Sequence, residues 1–227
     1  MLALLLALSL VDAPQEQTRV EAAQQLGNER TPESVKSLVG SLKDVSPRVR
    51  MAACQSLSSL GAVDGAPSPL RPLVDLFRKD TDHRVREAAL QAIVDTGWKS
   101  SATVDFLIEV ARGKKTAMLR HSPNLSQRQF AIEQLGLMGA TKASPVMLDL
   151  LKESAAKFDG ASEIYETCLL SLERLEATNA IPALKELRTG KGIEASPVNR
   201  TQAMVRADTA LRKLQAIVER RRENSKR

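Results

Sequence analysis

The sequence is poor in aromatic residues, and it has too few cysteines and histidines for a disulfide framework or a zinc site. Aromatic side chains make up 3% of the 227 residues, so a core must be built from Leu, Ala, Val and Ile. Such side chains suit packed helix pairs better than a β-sandwich. Cys54, Cys168 and two histidines fall short of a convincing zinc-ligand set. We therefore expect an all-α protein with buried, inert thiols and neither metal nor other cofactor.

The positive charge is concentrated at one end of the chain. The net charge is +6, and residues 219–227 (ERRRENSKR) supply five basic and two acidic residues, or +3 of that excess. The other residues lack the basic density of a nucleic-acid groove, so we do not expect nucleic acid to be the main partner. The basic C-terminal tail, 219–227, either extends the last helix or contacts nucleic acid or anionic lipid.

Residues 2–11 form an apolar run that is too short to span a bilayer, which needs about 20 residues. Two interpretations of residues 1–13 remain open. A signal peptide fits the small residues near Ala13, but no basic residue precedes the run. A first repeat helix would keep one polar face, which this run lacks. The signal peptide is slightly favoured, and with it export to the cell envelope over a cytoplasmic location.

A short helical pattern recurs along the chain. The segment beginning at Val49 (VRMAACQSL) returns at Val85 (VREAALQAI) and at Gln127 (QRQFAIEQL), with weaker copies near Arg19, Cys168 and Ala207. Its apolar spacing of i, i+4 and i+7 marks one helix face. Another short amphipathic stretch precedes each copy after the first, at residues 35–42, 70–77, 104–111, 146–151 and 181–187. The alternation indicates stacked helix pairs that bury one continuous core.

The residues at the turns recur at the same phase. Three good N-cap residues precede the second helices: Ser46, Asp82 and Asn124. Three glycines that suit a left-handed helix end follow them: Gly61, Gly97 and Gly139.

The pattern of residues in these units has a proline in the first helix (Pro72), an aspartate in the turn (Asp44, Asp80) and an arginine six residues after the aspartate (Arg50, Arg86). It resembles the HEAT repeat. The short unit is similar to the bacterial HEAT-like repeats also found in phycobilisome lyases. The resemblance covers residues 14–218. It implies a right-handed α-α superhelix, a HEAT-type solenoid, of about five to six helix pairs.

Arginines at one phase form a ladder: Arg19, Arg50, Arg86 and Arg128. The ladder could bind anions, but this phase is that of the family's structural arginine. We therefore expect each arginine to pair with an inter-helix turn, particularly at Asp44 and Asp80.

The resemblance also predicts which second-helix residues face solvent on the concave side. In chain order they are Arg48, Met51, Gln55, Arg84, Glu87, Gln91, Gln129, Glu133, Glu163 and Glu166. Their mixed charge suits a protein or peptide partner better than a phosphate backbone. A longer loop after residue 111 adds a second, basic candidate surface with Arg112, Lys114, Lys115 and Arg120. It would attract an anion or an acidic partner, or serve only as a surface loop.

These patterns favour a monomeric, non-enzymatic scaffold for protein–protein interaction, without a transmembrane span. Two alternatives remain: a bilin-lyase-like enzyme on the same scaffold, and a nucleic-acid binder that uses the basic loop and tail.

Overall fold

The computed structural model describes residues 15–97, 100–113, 123–159 and 162–226, and every regular element within those ranges is helical. Residues 1–13 lie outside them. The α-helices are α1 (15–26), α2 (Pro32–Ser41), α3 (Pro47–Leu60), α4 (Leu70–Lys79), α5 (His83–Thr96), α6 (Ser101–Arg112), α7 (Leu125–Leu137), α8 (Ser144–Ala155), α9 (Glu163–Arg174), α10 (Ile181–Arg188) and α11 (Pro197–Asn224). Short 3-10 turns, Thr141–Ala143 and Thr178–Ala180, precede α8 and α10.

The chain divides into two compact units, and in each the helices pack as consecutive pairs. In the first unit α2 packs on α3 and α4 on α5, and the second helices α3 and α5 also pack together. In the second unit α8 packs on α9 and α10 on α11, with α7, α9 and α11 packed in succession. Within each unit this is a HEAT-type, solenoid-like arrangement of helices, so the predicted all-α class and the alternation of first and second helices are confirmed.

The core is aliphatic, as the scarcity of rings requires. Equivalent positions of successive second helices are almost completely buried: Leu57, Ile93, Leu135, Leu172 and Leu211. Burying each such side chain contributes about 1.5–3 kcal/mol relative to leaving it in water. The i, i+4, i+7 pattern therefore identifies the inward face of each second helix.

Local hydrogen bonds start the second helices where the sequence predicts. The side chains of Ser46, Asp82 and Asn124 accept hydrogen bonds from backbone N–H groups two or three residues ahead, over 3.2, 2.9 and 2.8 Å. Each bond satisfies an N–H group that the helix itself leaves without a partner. The three N-cap predictions are confirmed.

The prediction of a left-handed helix end is wrong at Gly61 and at Gly97. Gly139 has the expected positive φ, 68°, and Gly61 also has a positive φ, 61°, although its ψ of −145° lies outside the αL region. Gly97 has a φ of −114°. Glycine is needed there for space, because a Cβ would lie 2.3 Å from Thr103 Oγ1.

The last helix, α11, has 28 residues and continues to Asn224, so most of the basic segment 219–227 is helical. None of the helices in the described ranges combines the length and apolarity needed to cross a membrane.

Candidate functional site

Arginines of the ladder clamp the turn of the following helix pair. Arg19 of α1 donates two hydrogen bonds to the carboxylate of Asp44, over 2.8 and 3.1 Å. Arg50 of α3 makes the same fork with Asp80, over 2.7 and 2.9 Å. Two parallel charge-assisted bonds fix orientation as well as distance. Each clamp joins a second helix to the next inter-helix turn.

The same carboxylates order the turns themselves. Asp44 accepts a hydrogen bond from the Ser46 N–H, over 2.8 Å, and Asp80 accepts one from the Asp82 N–H, over 2.9 Å. The bond from Arg19 is the main cause that lowers the pKa of Asp44, and the Ser46 N–H adds to it. Each carboxylate thus does two things. It positions the N-cap residue of the second helix, and it binds the arginine of the preceding helix pair.

Arg50 has a second set of contacts, because its Nη1 donates to the carbonyl oxygens of Asp44 and Val45, over 2.9 and 3.0 Å. Its side chain is 13% exposed and that of Asp80 is 3% exposed. An arginine with all its nitrogens engaged inside the protein is poorly placed to bind an external anion.

Farther along the chain, the residues at the ladder positions bond to backbone carbonyl oxygens instead of aspartate carboxylates. Arg86 donates to the carbonyl oxygens of Asp80 and Thr81, and Arg128 donates to that of Ala111, over 3.2 Å. The next residue at this phase is Tyr165, which is fully buried. Its hydroxyl donates to the carbonyl oxygen of Ala203 in α11, over 2.9 Å.

Sequence reasoning missed the role of Tyr165, although a signal was present. Asp159 lies six residues before it, the spacing that separates Asp44 from Arg50. The edge of the Phe158 ring meets Tyr165 with centroids 5.0 Å apart, and Arg206 lies over the Phe158 ring. A neutral, aromatic contact therefore stands at the position that an arginine occupies in earlier repeats.

In the first unit, the predicted partner-binding residues lie on the solvent side of α3 and α5. Arg48, Gln55, Arg84, Glu87 and Gln91 are exposed, and Met51 is half-buried. Arg48 pairs with Glu16 of α1, over 2.8 Å, and Gln91 donates to Asp95 within α5. The face is polar and carries both signs of charge.

In the second unit, ion pairs link the neighbouring second helices. Of the predicted residues, Glu163 is exposed, and Gln129, Glu133 and Glu166 are half-buried. Glu133 of α7 lies 3.7 Å from Arg174 of α9, and Glu166 of α9 pairs with Arg206 of α11. A further pair, Glu173 with Lys213, joins α9 to α11 over 2.7 Å.

The helices α9 and α11 also carry one exposed apolar side chain each on this side. Leu170 of α9 is 49% exposed and Val205 of α11 is 60% exposed. The repeat alignment places Leu170 in the row of Gln55 and Gln91, and Val205 in the row of Met51 and Glu87, so the sequence already puts both on the solvent side of their helices. We call the surface formed by Leu170, Val205 and these three ion pairs the α9–α11 face.

The other candidate residues do not form a second site within the described ranges. Arg112 is exposed at the end of α6, whereas Lys114, Lys115 and Arg120 lie outside those ranges. Cys54 and Cys168 are fully buried, and burial raises the pKa of each thiol to about 12. A thiol with so high a pKa carries almost no nucleophilic thiolate near neutral pH.

A family model for HEAT repeats matches residues 3–94, which include α1 to α4 and most of α5. This part of the chain belongs to the HEAT repeat family. The matched HEAT repeats contain both arginine–aspartate clamps, Arg19 with Asp44 and Arg50 with Asp80. Beyond residue 94, α7 to α11 continue the same helix pairing, although Tyr165 replaces the arginine of the ladder.

Two solved structures align with this chain, and the first of them shares its architecture. A chain from the complex of CpcE and CpcF of phycocyanin lyase from Nostoc sp. PCC7120 aligns with a TM-score of 0.53 at 21% identity. The alignment covers 80% of this chain and 65% of the Nostoc chain, so it leaves more than a third of that protein unmatched. An engineered protein aligns with a TM-score of 0.49 at 18% identity, covering 88% of this chain and 91% of its own. No curated protein matches this sequence.

Proposed function

We propose that this HEAT-repeat chain is a non-enzymatic scaffold that binds another protein or peptide through the solvent side of its second helices. The α9–α11 face carries the proposal. It carries exposed Leu170 and Val205 together with the ion pairs Glu166–Arg206 and Glu173–Lys213. Exposed apolar side chains combined with polar and charged groups are typical of protein–protein interfaces.

The charges of the α9–α11 face favour a protein over a nucleic acid. The acidic and basic residues of the α9–α11 face alternate and neutralise one another across neighbouring helices. A phosphate backbone would need an excess of Lys and Arg along its path. A protein surface can instead match a mixed pattern and gain specificity from it.

A relative of the same architecture offers limited support. The solved Nostoc complex brings CpcE and CpcF together, so a chain of this fold there has a protein partner. For the present chain we propose a partner of another sequence, with the chain itself monomeric.

The experiment compares two double variants in affinity purification from the native host. Leu170→Asp with Val205→Asp places two charges on the α9–α11 face. Leu125→Asp with Val198→Asp is the matched control, because those side chains are 51% and 67% exposed and lie at helix starts instead. We expect the first pair alone to abolish recovery of a specific partner, with both variants retaining the helical spectrum of the wild type.

Equal recovery with both double variants would contradict the proposed face. Covalent attachment of a bilin to an acceptor protein by the purified chain would contradict the non-enzymatic assignment. Salt-sensitive binding to random duplex DNA would favour the nucleic-acid alternative instead.

A further inference from the structure

The first unit has a groove on the side of its first helices. It lies between the end of α2 and the length of α4 and has a volume of about 450 Å³. Its apolar lining comes from Leu42, Pro72 and Leu76. The size falls within the range of natural binding clefts, which are mostly apolar with a few polar groups at the edge.

Some charged residues around this groove have ion-pair partners and others do not. Asp80 is held by the fork from Arg50, and Asp75 accepts a hydrogen bond from Lys79, over 3.2 Å. Lys43 and Arg71 also line the groove and are exposed, and neither has an ion-pair partner among the described residues. The groove therefore presents two available cations beside an apolar floor.

We propose that this groove binds an acidic peptide segment of a partner protein. An apolar side chain of the segment would cover Leu42, Pro72 and Leu76, and carboxylates on either side of it would meet Lys43 and Arg71. Charge complementarity selects the acidic residues, because Asp75 and Asp80 are already neutralised within the protein. The lining comes from only two neighbouring elements, so the groove is open along its length and suits an elongated segment.

The first test uses charge reversal with a matched control. Lys43→Glu with Arg71→Glu removes both available cations. Lys36→Glu with Lys185→Glu makes the same change in net charge at two exposed lysines that do not line the groove. Far-ultraviolet circular dichroism and thermal unfolding check that both proteins remain folded.

The probes are three short fluorescent peptides of one length. The first has a leucine between glutamates, the second has lysines in place of the glutamates, and the third has serine in place of the leucine. We expect the first to bind wild type and the Lys36/Lys185 control equally, and to bind the Lys43/Arg71 variant about tenfold or more weakly. The second and third peptides should each bind wild type at least about tenfold more weakly than the first, since each lacks one of the two matched features.

Amide chemical shifts then locate the acidic peptide on the protein. The proposal requires the largest shifts at Lys43, Arg71 and Leu76. Shifts centred on Gln55 and Gln91 would place the peptide on the second helices and overturn the groove while leaving the proposed scaffold function intact. Equal weakening in both charge variants, equal binding of the lysine peptide, or no binding of the acidic peptide would also overturn it.

Discussion

Replacing Asp80 with asparagine should destabilise the protein far more than the same change at Asp44. The two carboxylates accept the same fork of hydrogen bonds, from Arg50 and Arg19, and each also bonds a turn N–H. An asparagine oxygen can keep the turn bond, but its NH2 group then faces the guanidinium that the carboxylate had bound. The substitution therefore tests the ion pair with little change in shape.

Burial sets the difference in magnitude. The side chains of Arg50 and Asp80 are 13% and 3% exposed, and losing one partner of a buried pair costs about 3–5 kcal/mol. The side chains of Arg19 and Asp44 are 40% and 16% exposed, and a pair so open to water contributes about 1 kcal/mol or less. The free energy of unfolding of a domain is only about 5–15 kcal/mol, so the first loss is a large fraction of the whole.

Urea unfolding followed by circular dichroism measures both losses. Arg50→Met in the Asp80→Asn background removes the stranded cation, and it should recover part of the lost stability. A loss at Asp80 no greater than that at Asp44, or a further loss on adding Arg50→Met, would refute the role given to burial.

Further expected outcomes concern Asp44, the two cysteines and Tyr165. The bond from Arg19 lowers the pKa of Asp44 in the folded protein. The ionised Asp44 carboxylate therefore stabilises the fold fully above about pH 4, and this stabilisation is lost as the pH falls through the folded-state pKa. In urea titrations, the free energy of unfolding of Asp44→Asn should therefore fall less on acidification than that of the wild type. Burial raises the pKa of Cys54 and Cys168 to about 12, so neither should react with a thiol reagent until urea unfolds the chain. Burial also raises the pKa of Tyr165, the one tyrosine in the sequence, so tyrosinate absorbance at about pH 11 should appear only on unfolding, and Tyr165→Phe should cost about 1 kcal/mol in urea unfolding.

The helices and their phase were readable from the sequence because their signals are local. Apolar spacing within one helix selects its buried face, as at Leu57 and Ile93, and a cap such as Ser46 bonds only two or three residues ahead. The family pattern added the expectation that Arg50 meets Asp80. The buried faces, the helix caps and the arginine–aspartate pairs all involve residues whose spacing in the sequence repeats from one helix pair to the next.

What the sequence did not predict depends on spacing between helices. A glycine needed for close approach, Gly97, has the same letter as one needed for positive φ. Tyr165 meets a backbone carbonyl, which leaves no partner side chain to recognise. The groove beside Lys43 and Arg71 is set by how far neighbouring helices stand apart, which periodicity within one helix does not report.

Arg19 and Tyr165 occupy equivalent repeat positions, and their contacts should respond differently to salt and to acid. The connection between Arg19 and Asp44 is partly open to water, so dissolved ions weaken it and acid removes its negative charge. The bond from Tyr165 to Ala203 has no net charge to shield and no group that gains a proton in mild acid. In salty or acidic surroundings the bond from Tyr165 to Ala203 should therefore keep its strength while the clamp between Arg19 and Asp44 loosens.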